Sequence, residues 1–403
     1  MKFLIVSQYF YPENFRINDF ALSLIKKGHS VSVITGLPNY PKGKFFGNFK
    51  LFLSEDYKGI KIYRVPLFPR GNASGFRLAL NYLSFLVSSI IFSPLILFNK
   101  KFDVIFSTNY SPATVGVTGV FLSKIKNAKN SLWVQDLWPQ SLEATGAIKS
   151  KSMIKLVDKM VHWIYLRNDF IFSQSRSFLD SIRSYGVHED KLFFLPNWAE
   201  DIFMNKKDNP QSVAANNVDN DKFTLMFAGN LGEAQSLETI LDALTLLNEE
   251  DLQVLVLGDG RKKEWMAGRI KELELEGKIK MLGSYPLQEM PAFFHKADFM
   301  LVTLKKDDIF ASTIPGKIQS YLLSGKPIIS ALDGEGARVI SESGSGFNCD
   351  AEDHHSLAKN IRRAIKLSNT EKKEMGDNGR EYYYKNFDRE KLINKFINTL
   401  NSK

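Results

Sequence analysis

Two segments in the second half of the chain carry residue types that suit phosphate binding. The first, FAGNLG at 227–232, places Gly229, Asn230 and Gly232 directly after a predicted strand, and Ser236 precedes the next predicted helix. Glycines at such a turn leave backbone N–H groups accessible to a diphosphate at a helix N-terminus. Strand-to-helix turns often contain glycine, so a second element is needed before this turn indicates a phosphate site.

The second segment, STIPGK at 312–317, supplies that element. It combines the hydroxyl groups of Ser312 and Thr313 with the ammonium group of Lys317, just before a predicted helix. Arg261, which follows a Gly-Asp-Gly turn, adds another cation. A diphosphate needs several such donors, because its charge must be offset both when it is bound and when it leaves. The two segments together predict a phosphate site.

Other common chemistries lack their residues in this sequence. The turn at 8–14, after the first predicted strand, has no glycine, which argues against a dinucleotide-binding dehydrogenase, and no Walker lysine loop occurs. The six histidines are scattered, and the Asp-Asn-Asp triplet at 219–221 lies in a polar segment rather than after a core strand. Cys349 is the single cysteine, which excludes a disulfide within the chain and a cysteine zinc cage. We therefore expect no metal ion and no cofactor.

Strand-like and helix-like segments alternate along the 403 residues, as in parallel sheets covered by helices on both faces. The predicted strands lie at 3–6, 30–35, 60–65, 104–107, 132–134, 170–173, 192–195, 224–228, 253–257, 279–282, 299–302 and 327–331. The fold class is therefore α/β, with two Rossmann-like parallel-sheet domains that we expect to face a central cleft. In such sheets ligands bind beyond the carboxyl ends of the strands.

The predicted domain boundaries follow composition. We expect an N-terminal domain at 1–205, an Asn-rich linker at 206–221, a C-terminal domain at 222–380, and a C-terminal helix at 381–403 that packs back towards the N-terminal domain. The net charge of the chain is +9, but residues 1–200 alone carry 25 basic and 13 acidic residues, net +12. A positive excess confined to one half indicates an anionic partner for that half.

One uncharged stretch, 78–99, is long enough to cross a bilayer. It contains Asn81, four serines and Pro94, and it falls where an α/β unit needs a crossover helix. A buried crossover helix and a helix that dips into one leaflet both remain open. Cations and aromatic residues alternate before it, between 42 and 58, which suits a lipid headgroup interface. We expect a cytoplasmic protein bound peripherally to the inner face of the cell membrane, with an anionic membrane surface as a partner.

A series of ordered motifs extends over nearly the whole chain. The second half contains GNLGEAQSLET at 229–239, GDGR at 258–261, LGSY at 282–285 and STIPGKIQSYLLSGKPII at 312–329. The first half contains QYFYPE, KGHSVSVITGLPNYP, VQDLWP and LPNW. Together these motifs resemble the retaining GT-B glycosyltransferases of family 4. The N-terminal motifs look like the subgroup that builds bacterial O-antigen, capsule and colanic acid, and they are most similar to the N-acetyl-L-fucosamine transferases.

The resemblance implies a metal-independent enzyme that moves a sugar, such as L-FucNAc, from a UDP-sugar donor to a polyprenyl-diphosphate-linked acceptor, with no nucleic acid as a partner. Two positions depart from the family pattern. Ser312 and Ser320 stand where many members have a pair of glutamates, the second of which holds the ribose, so the ribose must be bound differently. Asn230 and Gln235 stand where many members have Arg or Lys, so the positive charge that offsets the phosphates is expected from Arg261, Lys317 and either Lys305 or Lys306.

The residue patterns and the resemblance together suggest the site residues. Asp136, after the strand at 132–134, is the first catalytic candidate, and it would orient the acceptor hydroxyl or balance positive charge; a turn aspartate before Pro139 is the structural alternative. Asn14 and Arg16 are candidates for acceptor contact. The expected donor-binding residues, of which Lys317 is also assigned to catalysis, are Gly229, Asn230, Gly232, Arg261, Tyr285, Ser312, Thr313, Lys317 and Ser320.

Two other classes of function remain open at this point. A non-hydrolysing UDP-N-acetylglucosamine 2-epimerase also joins two Rossmann-like halves, but it converts one nucleotide sugar instead of joining two substrates. A basic protein that binds membranes without catalysis would explain the charge of the first half. It would leave the two phosphate-type segments of the second half unexplained.

Overall fold

The computed structural model describes residues 1–148, 150–204, 218–219 and 221–402. The chain forms two compact units. The first comprises Met1–Pro196 and Glu390–Lys403, and the second comprises Asn197–Arg389. The first unit thus ends before residue 205, the predicted end of the N-terminal domain. Most of the predicted linker at 206–221 lies outside the described residues.

The first unit is built on an eight-stranded sheet. Its strands are β1 Lys2–Val6, β2 Ser30–Gly36, β3 Ser54–Tyr57, β4 Ile60–Val65, β5 Val104–Asn109, β6 Lys129–Val134, β7 Phe170–Ser173 and β8 Leu192–Phe194. The strand order is β3-β4-β2-β1-β5-β6-β7-β8. Strand β3 runs antiparallel to β4, and the other neighbouring pairs are parallel, so this sheet is mixed rather than wholly parallel as predicted.

Helices cover both faces of this sheet. They are α1 Arg16–Lys26, α2 Gly75–Ile96, α3 Val115–Lys126, α4 Gln140–Ala144, α5 Lys151–Leu166 and α6 Arg176–Arg183, with a 3-10 turn at Glu189–Lys191. Ile105 of β5 packs in one cluster with Phe85 of α2. Its neighbour Phe106 stacks on Phe20 of α1, with ring centroids 4.6 Å apart. Successive side chains of a strand point to opposite faces, so α2 and α1 lie on opposite sides of the sheet.

The second unit contains a six-stranded parallel sheet. Its strands are β9 Phe223–Ala228, β10 Leu252–Leu257, β11 Ile279–Gly283, β12 Phe299–Thr303, β13 Ile328–Ala331 and β14 Gly346–Cys349. The order is β11-β10-β9-β12-β13-β14, with parallel pairing throughout. Near-continuous apolar strands such as β10, all of whose residues are buried, are typical of a sheet covered on both faces.

The helices of the second unit complete its layers. They are α7 Leu237–Thr245, α8 Lys263–Glu272, α9 Met290–Lys296, α10 Asp308–Ala311, α11 Gly316–Ser324, α12 Gly334–Ser343, α13 His354–Ile365 and α14 Asn369–Asn386, with 3-10 turns at Asp201–Met204, Glu233–Gln235 and Leu287–Glu289. Helix α14 begins with a capping box between Ser368 and Glu371, which satisfies backbone donors at its first turn.

The last helix, α15 Arg389–Asn401, belongs mostly to the first unit. Its residue Phe396 is fully buried and contacts Phe20 and Phe172, with ring centroids 5.0 and 4.8 Å apart. The segment predicted at 381–403 is therefore divided: its first residues continue α14 of the second unit, and its last residues fill the core of the first.

Candidate functional site

The turns after β9 and β10 pack directly on each other. The N–H of Gly229 donates to the carbonyl of Leu257 (2.9 Å), and the N–H of Leu231 donates to the carbonyl of Asp259 (2.8 Å). A Cβ atom at Gly258 would lie 1.8 Å from the carbonyl oxygen of Gly229, and the φ angle of Gly258 is +144°. Glycine alone tolerates this approach and this backbone conformation, so the Gly-Asp-Gly sequence brings the two strand ends together.

Helix α11 places Lys317 against these turns. The hydroxyl of Tyr321 accepts a hydrogen bond from the N–H of Ala228 and donates one to its carbonyl, each at 3.1 Å. Residues four apart on a helix share a face, so this contact also directs Lys317 towards the end of β9. A Cβ atom at Gly229 would lie 3.1 Å from Nζ of Lys317. The absence of a side chain at Gly229 therefore leaves space beside the ammonium group.

The ammonium group of Lys317 has no carboxylate partner among the residues that the structure describes. It donates to Oε1 of Gln235 (2.6 Å) and lies 3.9 Å from the ring centroid of Phe227. Burial lowers the pKa of Lys317 to about 7, because the charged form loses water without gaining an opposite charge. An anion bound here would supply that charge and raise the pKa again.

A cavity of about 270 Å³ lies at this place within the second unit. Gly229, Gly258 and Lys317 contribute open backbone and a cation to its lining. Its wall also includes an aromatic residue, Tyr285, whose ring packs 4.7 Å from that of Phe293. The remaining lining residues are mixed apolar and polar, among them Glu200, Phe203, Ser284, Leu287, Met290 and Phe294. A cation beside open backbone, next to an apolar wall, suits a nucleotide.

Four of the predicted donor residues line this cavity: Gly229, Tyr285, Lys317 and Ser320. Ser312 and Thr313 do not line it. Their hydroxyl groups donate to backbone carbonyls of α10, Ser312 to Asp308 at 2.8 Å and Thr313 to Ile309 at 2.9 Å. These two residues therefore stabilise the end of α10 in this structure.

Arg261 is exposed and does not line the cavity either. The next residue, Lys262, is buried, and its ammonium group pairs with Glu233 (3.1 Å) and with Glu238. Asn230 and Gly232 belong to the turn itself: a Cβ atom at Gly232 would lie 2.5 Å from Nδ2 of Asn230. The structure thus leaves Lys317 as the cation that lines the cavity among the described residues.

Sequence reasoning missed Glu200, Phe203 and Met290. Glu200 and Phe203 follow the LPNW segment and lie in or next to a short 3-10 turn, and Met290 begins a seven-residue helix. None of these positions has the glycine or hydroxyl signature of a phosphate turn. The sequence signal was limited to the position of Glu200 two residues after the LPNW motif at 195–198.

In the first unit, Asp136 follows β6 at the carboxyl end of the sheet. Nε1 of Trp138 donates to Oδ2 of Asp136 (3.3 Å), and Nδ2 of Asn109 donates to the backbone carbonyl of Asp136 (3.2 Å). Burial raises the pKa of Asp136 to about 6, and the hydrogen bonds that it accepts offset this effect only in part. A carboxyl group with this pKa can act as a charge or as a base near neutral pH.

The two candidates for acceptor contact differ in their surroundings. Nη1 of Arg16 pairs with Oδ2 of Asp19, one turn along α1, at 3.2 Å. Asn14 is exposed in the loop between β1 and α1. Glu13, the loop residue before Asn14, is buried, and its carboxylate accepts hydrogen bonds from the N–H groups of Asn39 and Tyr40. Glu13, which the sequence did not single out, therefore fixes the neighbouring loop.

Metal independence stays a prediction, and it has a direct test. The described residues contain no group of three or more His, Cys, Asp or Glu side chains that could hold a metal ion. Asn220 of the Asp-Asn-Asp triplet lies outside those residues. We expect any transfer activity to persist in excess EDTA, because Lys317 and backbone N–H groups would offset the charge of a bound diphosphate without a metal ion. Loss of activity on chelation, restored by Mg²⁺ or Mn²⁺, would contradict this expectation.

Two α/β units with these two strand orders define a class of fold. Comparison with known proteins identifies this fold as GT-B. Residues 208–382 match the family described as Glycosyl transferases group 1. The chain superposes on Anabaena HepE, solved in complex with UDP and glucose, with a TM-score of 0.71 and 18% identity over 100% of both chains. The predicted GT-B fold is confirmed, and residues 208–382 are similar to the group 1 glycosyl transferases.

Curated relatives of similar length are bacterial glycosyl transferases. The chain is 26% identical to the putative colanic acid biosynthesis glycosyl transferase WcaI of Escherichia coli K12, over 99% of this chain and 100% of that protein. It is also 26% identical to the probable glycosyltransferase WbjE of Pseudomonas aeruginosa, over 74% of this chain and 75% of the relative. The similarity to WcaI covers nearly the whole chain and so includes the first unit, which the family match does not reach.

Proposed function

We propose that the chain is a retaining glycosyltransferase of family 4 that transfers a sugar from a UDP-sugar to a polyprenyl-diphosphate-linked saccharide in bacterial surface polysaccharide synthesis. The observation that carries this proposal is the ammonium group of Lys317, which lines a cavity beside two glycine turns and has no carboxylate partner among the described residues. Such a group is suited to a diphosphate. The similarity to WcaI and WbjE supports polysaccharide synthesis as the setting.

Each part of a uridine diphosphate has a chemically matched counterpart in the cavity. Lys317 and the open backbone at Gly229 suit the diphosphate, and the ring of Tyr285 suits the base. Ser320 lines the cavity at the position where a ribose-binding glutamate is common in the family. A single hydroxyl offers less than a carboxylate to a diol, and Glu200 brings a carboxylate to the same lining. We assign ribose contact to Ser320 and Glu200 together.

The proposed mechanism places few covalent demands on the protein. The leaving diphosphate accepts the proton of the incoming hydroxyl on the same face of the sugar, which retains the anomeric configuration. Lys317 offsets the charge that develops on the diphosphate as the sugar bond breaks. Asp136 orients the acceptor hydroxyl or balances positive charge on the sugar, and no cofactor takes part.

The donor is proposed to be a UDP-linked N-acetylated deoxyhexosamine such as UDP-L-FucNAc. A mass-spectrometric screen of nucleotide sugars against a polyprenyl-diphosphate saccharide tests this directly. A product heavier than the acceptor by one sugar, with release of UDP, supports the proposal. Conversion of one UDP-sugar to its epimer without an acceptor would favour the epimerase instead. Binding of lipid without any product from the full set would favour a non-enzymatic role.

Helix α2 supports the proposed location at the inner face of the membrane. It is the one helix, within the described parts of the chain, that is long and apolar enough to cross a bilayer. Its burial is the reverse of that of an ordinary surface helix, which buries its apolar side. The buried side of α2 is mainly polar, with Asn81, Ser88, Ser89 and Ser93. The exposed side is apolar, with Leu83, Val87, Ile91 and Leu95. The exposed residues are spaced by four, so they form one face.

Hydrogen bonds hold the polar side of α2 to the first unit. Ser88 donates to the carbonyl of Pro66 (2.5 Å), and the hydroxyl groups of Ser89 and Thr118 are 2.8 Å apart. A helix held in this way can present only its apolar face to lipid. We therefore favour a helix that lies in the plane of one leaflet over a helix that spans the bilayer.

We expect the protein to sediment with phosphatidylglycerol vesicles at low salt, to dissociate substantially at high salt or in detergent, and to bind phosphatidylcholine vesicles weakly. Each cation near an anionic surface contributes about 1 kcal/mol, and this attraction is screened by salt. Changing four lysines of the basic approach to glutamate should weaken vesicle binding and transfer to the lipid acceptor while leaving UDP binding unchanged: Lys42, Lys44, Lys50 and Lys58.

A matched control changes four exposed lysines of the second unit to glutamate, and we expect it to bind vesicles like the wild type. The four lysines are Lys271, Lys359, Lys366 and Lys373. Retention on vesicles through alkaline carbonate would contradict peripheral binding and support a spanning α2. Equal binding to anionic and neutral vesicles would contradict the electrostatic contribution.

A further inference from the structure

An arginine without a carboxylate partner lies among aromatic rings in the first unit. Nη1 of Arg70 donates to the hydroxyl of Tyr9 (3.2 Å), and its guanidinium carbon lies 4.9 Å from the ring centroid of Tyr40. No carboxylate within 4.0 Å offsets this charge in the described part of the chain. Tyr40 is 37% exposed, so this cluster reaches the surface. A partly covered guanidinium group that stacks on tyrosines is well suited to a bidentate anion.

The backbone around Arg70 is held in place by a close contact between two loops. The N–H of Gly71 donates to the carbonyl of Gly43 (2.9 Å), and a Cβ atom at Gly43 would lie 1.8 Å from the carbonyl oxygen of Gly71. The N–H of Arg70 donates to Oδ1 of Asn39 (3.0 Å). The backbone of Asn39 is itself bound by the buried carboxylate of Glu13. The position of Arg70 is thus fixed before any ligand arrives.

A second cation lies next to this cluster. The side chain of Arg77 passes Gly71, since a Cβ atom at Gly71 would lie 3.3 Å from Cδ of Arg77. Arg77 is exposed, lies in the first turn of α2, and has no ion pair with any described residue; that turn contains no acidic residue. Arg70 directly precedes Gly71 and the side chain of Arg77 passes beside it, and two guanidinium groups can offset a doubly charged group better than one can.

Contacts connect Arg70 to Asp136 within the first unit. The hydroxyl of Tyr9, which binds Arg70, lies 3.4 Å from Oδ1 of Asn81 in α2. The next residue of α2, Tyr82, lies 6.1 Å from Trp138 between ring centroids, and Trp138 donates to Asp136. The arginines therefore lie on the same side of the unit as the candidate catalytic carboxylate.

The exposed apolar face of α2 begins next to the arginines. Phe76 precedes Arg77 and is 78% exposed, and the apolar row continues through Leu83 to Leu95. A ligand that joins an anionic group to a long apolar chain would match this order of surfaces. A soluble anion would use the arginines alone and leave the apolar face without a role.

Resting on the proposed function, we infer that Arg70 and Arg77 bind the diphosphate group of the polyprenyl-linked acceptor. The polyprenyl chain follows the apolar face of α2 into the leaflet. The saccharide attached to the other side of the diphosphate extends past the exposed ring of Tyr40 towards Asp136. Recognition of the diphosphate selects the activated lipid over other anionic lipids of the membrane.

The test measures binding of the full-length protein to phosphatidylcholine vesicles that contain polyprenyl diphosphate, polyprenyl monophosphate or phosphatidylglycerol, in the absence of donor. We expect the diphosphate vesicles to be bound most tightly. Arg70→Gln should weaken that binding by about tenfold or more, and Arg77→Gln should weaken it less, because charge-assisted bidentate contacts are lost. Lys26→Gln, an exposed charge in α1 on the opposite face of the sheet, should behave as the wild type.

Arg70→Lys keeps the positive charge but loses the paired N–H donors of the guanidinium group, so we expect intermediate binding. Circular dichroism and thermal unfolding establish that each variant is folded. Competition by free inorganic pyrophosphate would show recognition of the diphosphate itself and support the assignment. If Arg70→Gln weakened binding to phosphatidylglycerol vesicles by the same factor as binding to diphosphate vesicles, the assignment would be overturned in favour of general attraction to anionic membranes. The experiments distinguish this inference from the proposed transferase function. Diphosphate binding through Arg70 without any sugar transfer would contradict only the transferase function. Sugar transfer by Arg70→Gln with an unchanged acceptor KM would overturn only the assignment of Arg70 to the diphosphate.

Discussion

Replacing Lys317 by alanine is expected to lower the transfer rate by about tenfold to a thousandfold while the protein remains folded. The ammonium group lies beside Gly229 and has no carboxylate partner among the described residues, so its charge is available to a diphosphate. Its loss removes a charge-assisted contact that strengthens as the leaving group gains charge. Initial rates with a UDP-sugar and acceptor, together with UDP affinity by calorimetry, measure the effect.

A matched control is Lys366→Ala, which removes an exposed lysine from the end of α13 in the same unit. We expect wild-type turnover in this variant. Wild-type turnover in Lys317→Ala would instead refute the assignment of Lys317 to the diphosphate. Because burial of the ammonium group is unfavourable, the alanine variant should be no less stable to heat than the wild type.

The lowered pKa of Lys317 adds a pH dependence to the same prediction. With a pKa of about 7, the free protein holds a largely neutral amine at pH 8, whereas a bound diphosphate favours the ammonium form. UDP binding at pH 8 should therefore take up a proton, and UDP affinity should fall as the pH rises above 7. Calorimetry in buffers of different ionisation enthalpy measures this uptake, which should be lost in Lys317→Ala.

The sequence predicted the buried strands and the edge strands β8 and β11, but it missed the edge strands β3 and β14. Strands such as β1 and β10 are continuous apolar runs, which the interior of a two-sided sheet requires. Strand β3, with the sequence SEDY, has no fully buried residue, and β14 buries only Phe347 among its four residues. Edge strands need bury little, so their sequences lack the apolar signal, and both strands were missed.

Some residues of the predicted phosphate site can be recognised from a local sequence pattern, and others only from the three-dimensional packing. Gly229 and Lys317, which line the cavity, were predicted because glycine turns and a helix-opening lysine are local patterns. Arg261 and Lys262 are adjacent in sequence, and only the three-dimensional packing shows that Lys262 is paired with glutamates while Arg261 is exposed. Glu200 reaches the cavity from a distant segment, which no spacing in the sequence indicates.

Asp136→Asn is expected to lower turnover on the order of a hundredfold or more, with little change in UDP affinity. Asparagine has nearly the same shape, and its Oδ1 can still accept the hydrogen bond from Trp138, so the change removes charge rather than structure. The cavity that we propose for UDP is lined only by residues of the second unit, so donor binding should be preserved. Steady-state kcat and acceptor KM, with UDP affinity measured separately, distinguish these effects.

The raised pKa of Asp136 predicts the direction in which acceptor kcat/KM changes with pH, and Asp136→Asn tests it. Burial favours the protonated form, so the carboxylate predominates only above about pH 6. If the carboxylate is the active form, wild-type kcat/KM for the acceptor should rise through about pH 6 and then level, and Asp136→Asn should lack this rise. Asp103→Asn is a suitable control, because Asp103 accepts a backbone hydrogen bond from Lys2 at the other end of the strands. Equal losses of UDP affinity and turnover in Asp136→Asn, with a lowered melting temperature, would show instead that Asp136 only stabilises the turn before Pro139.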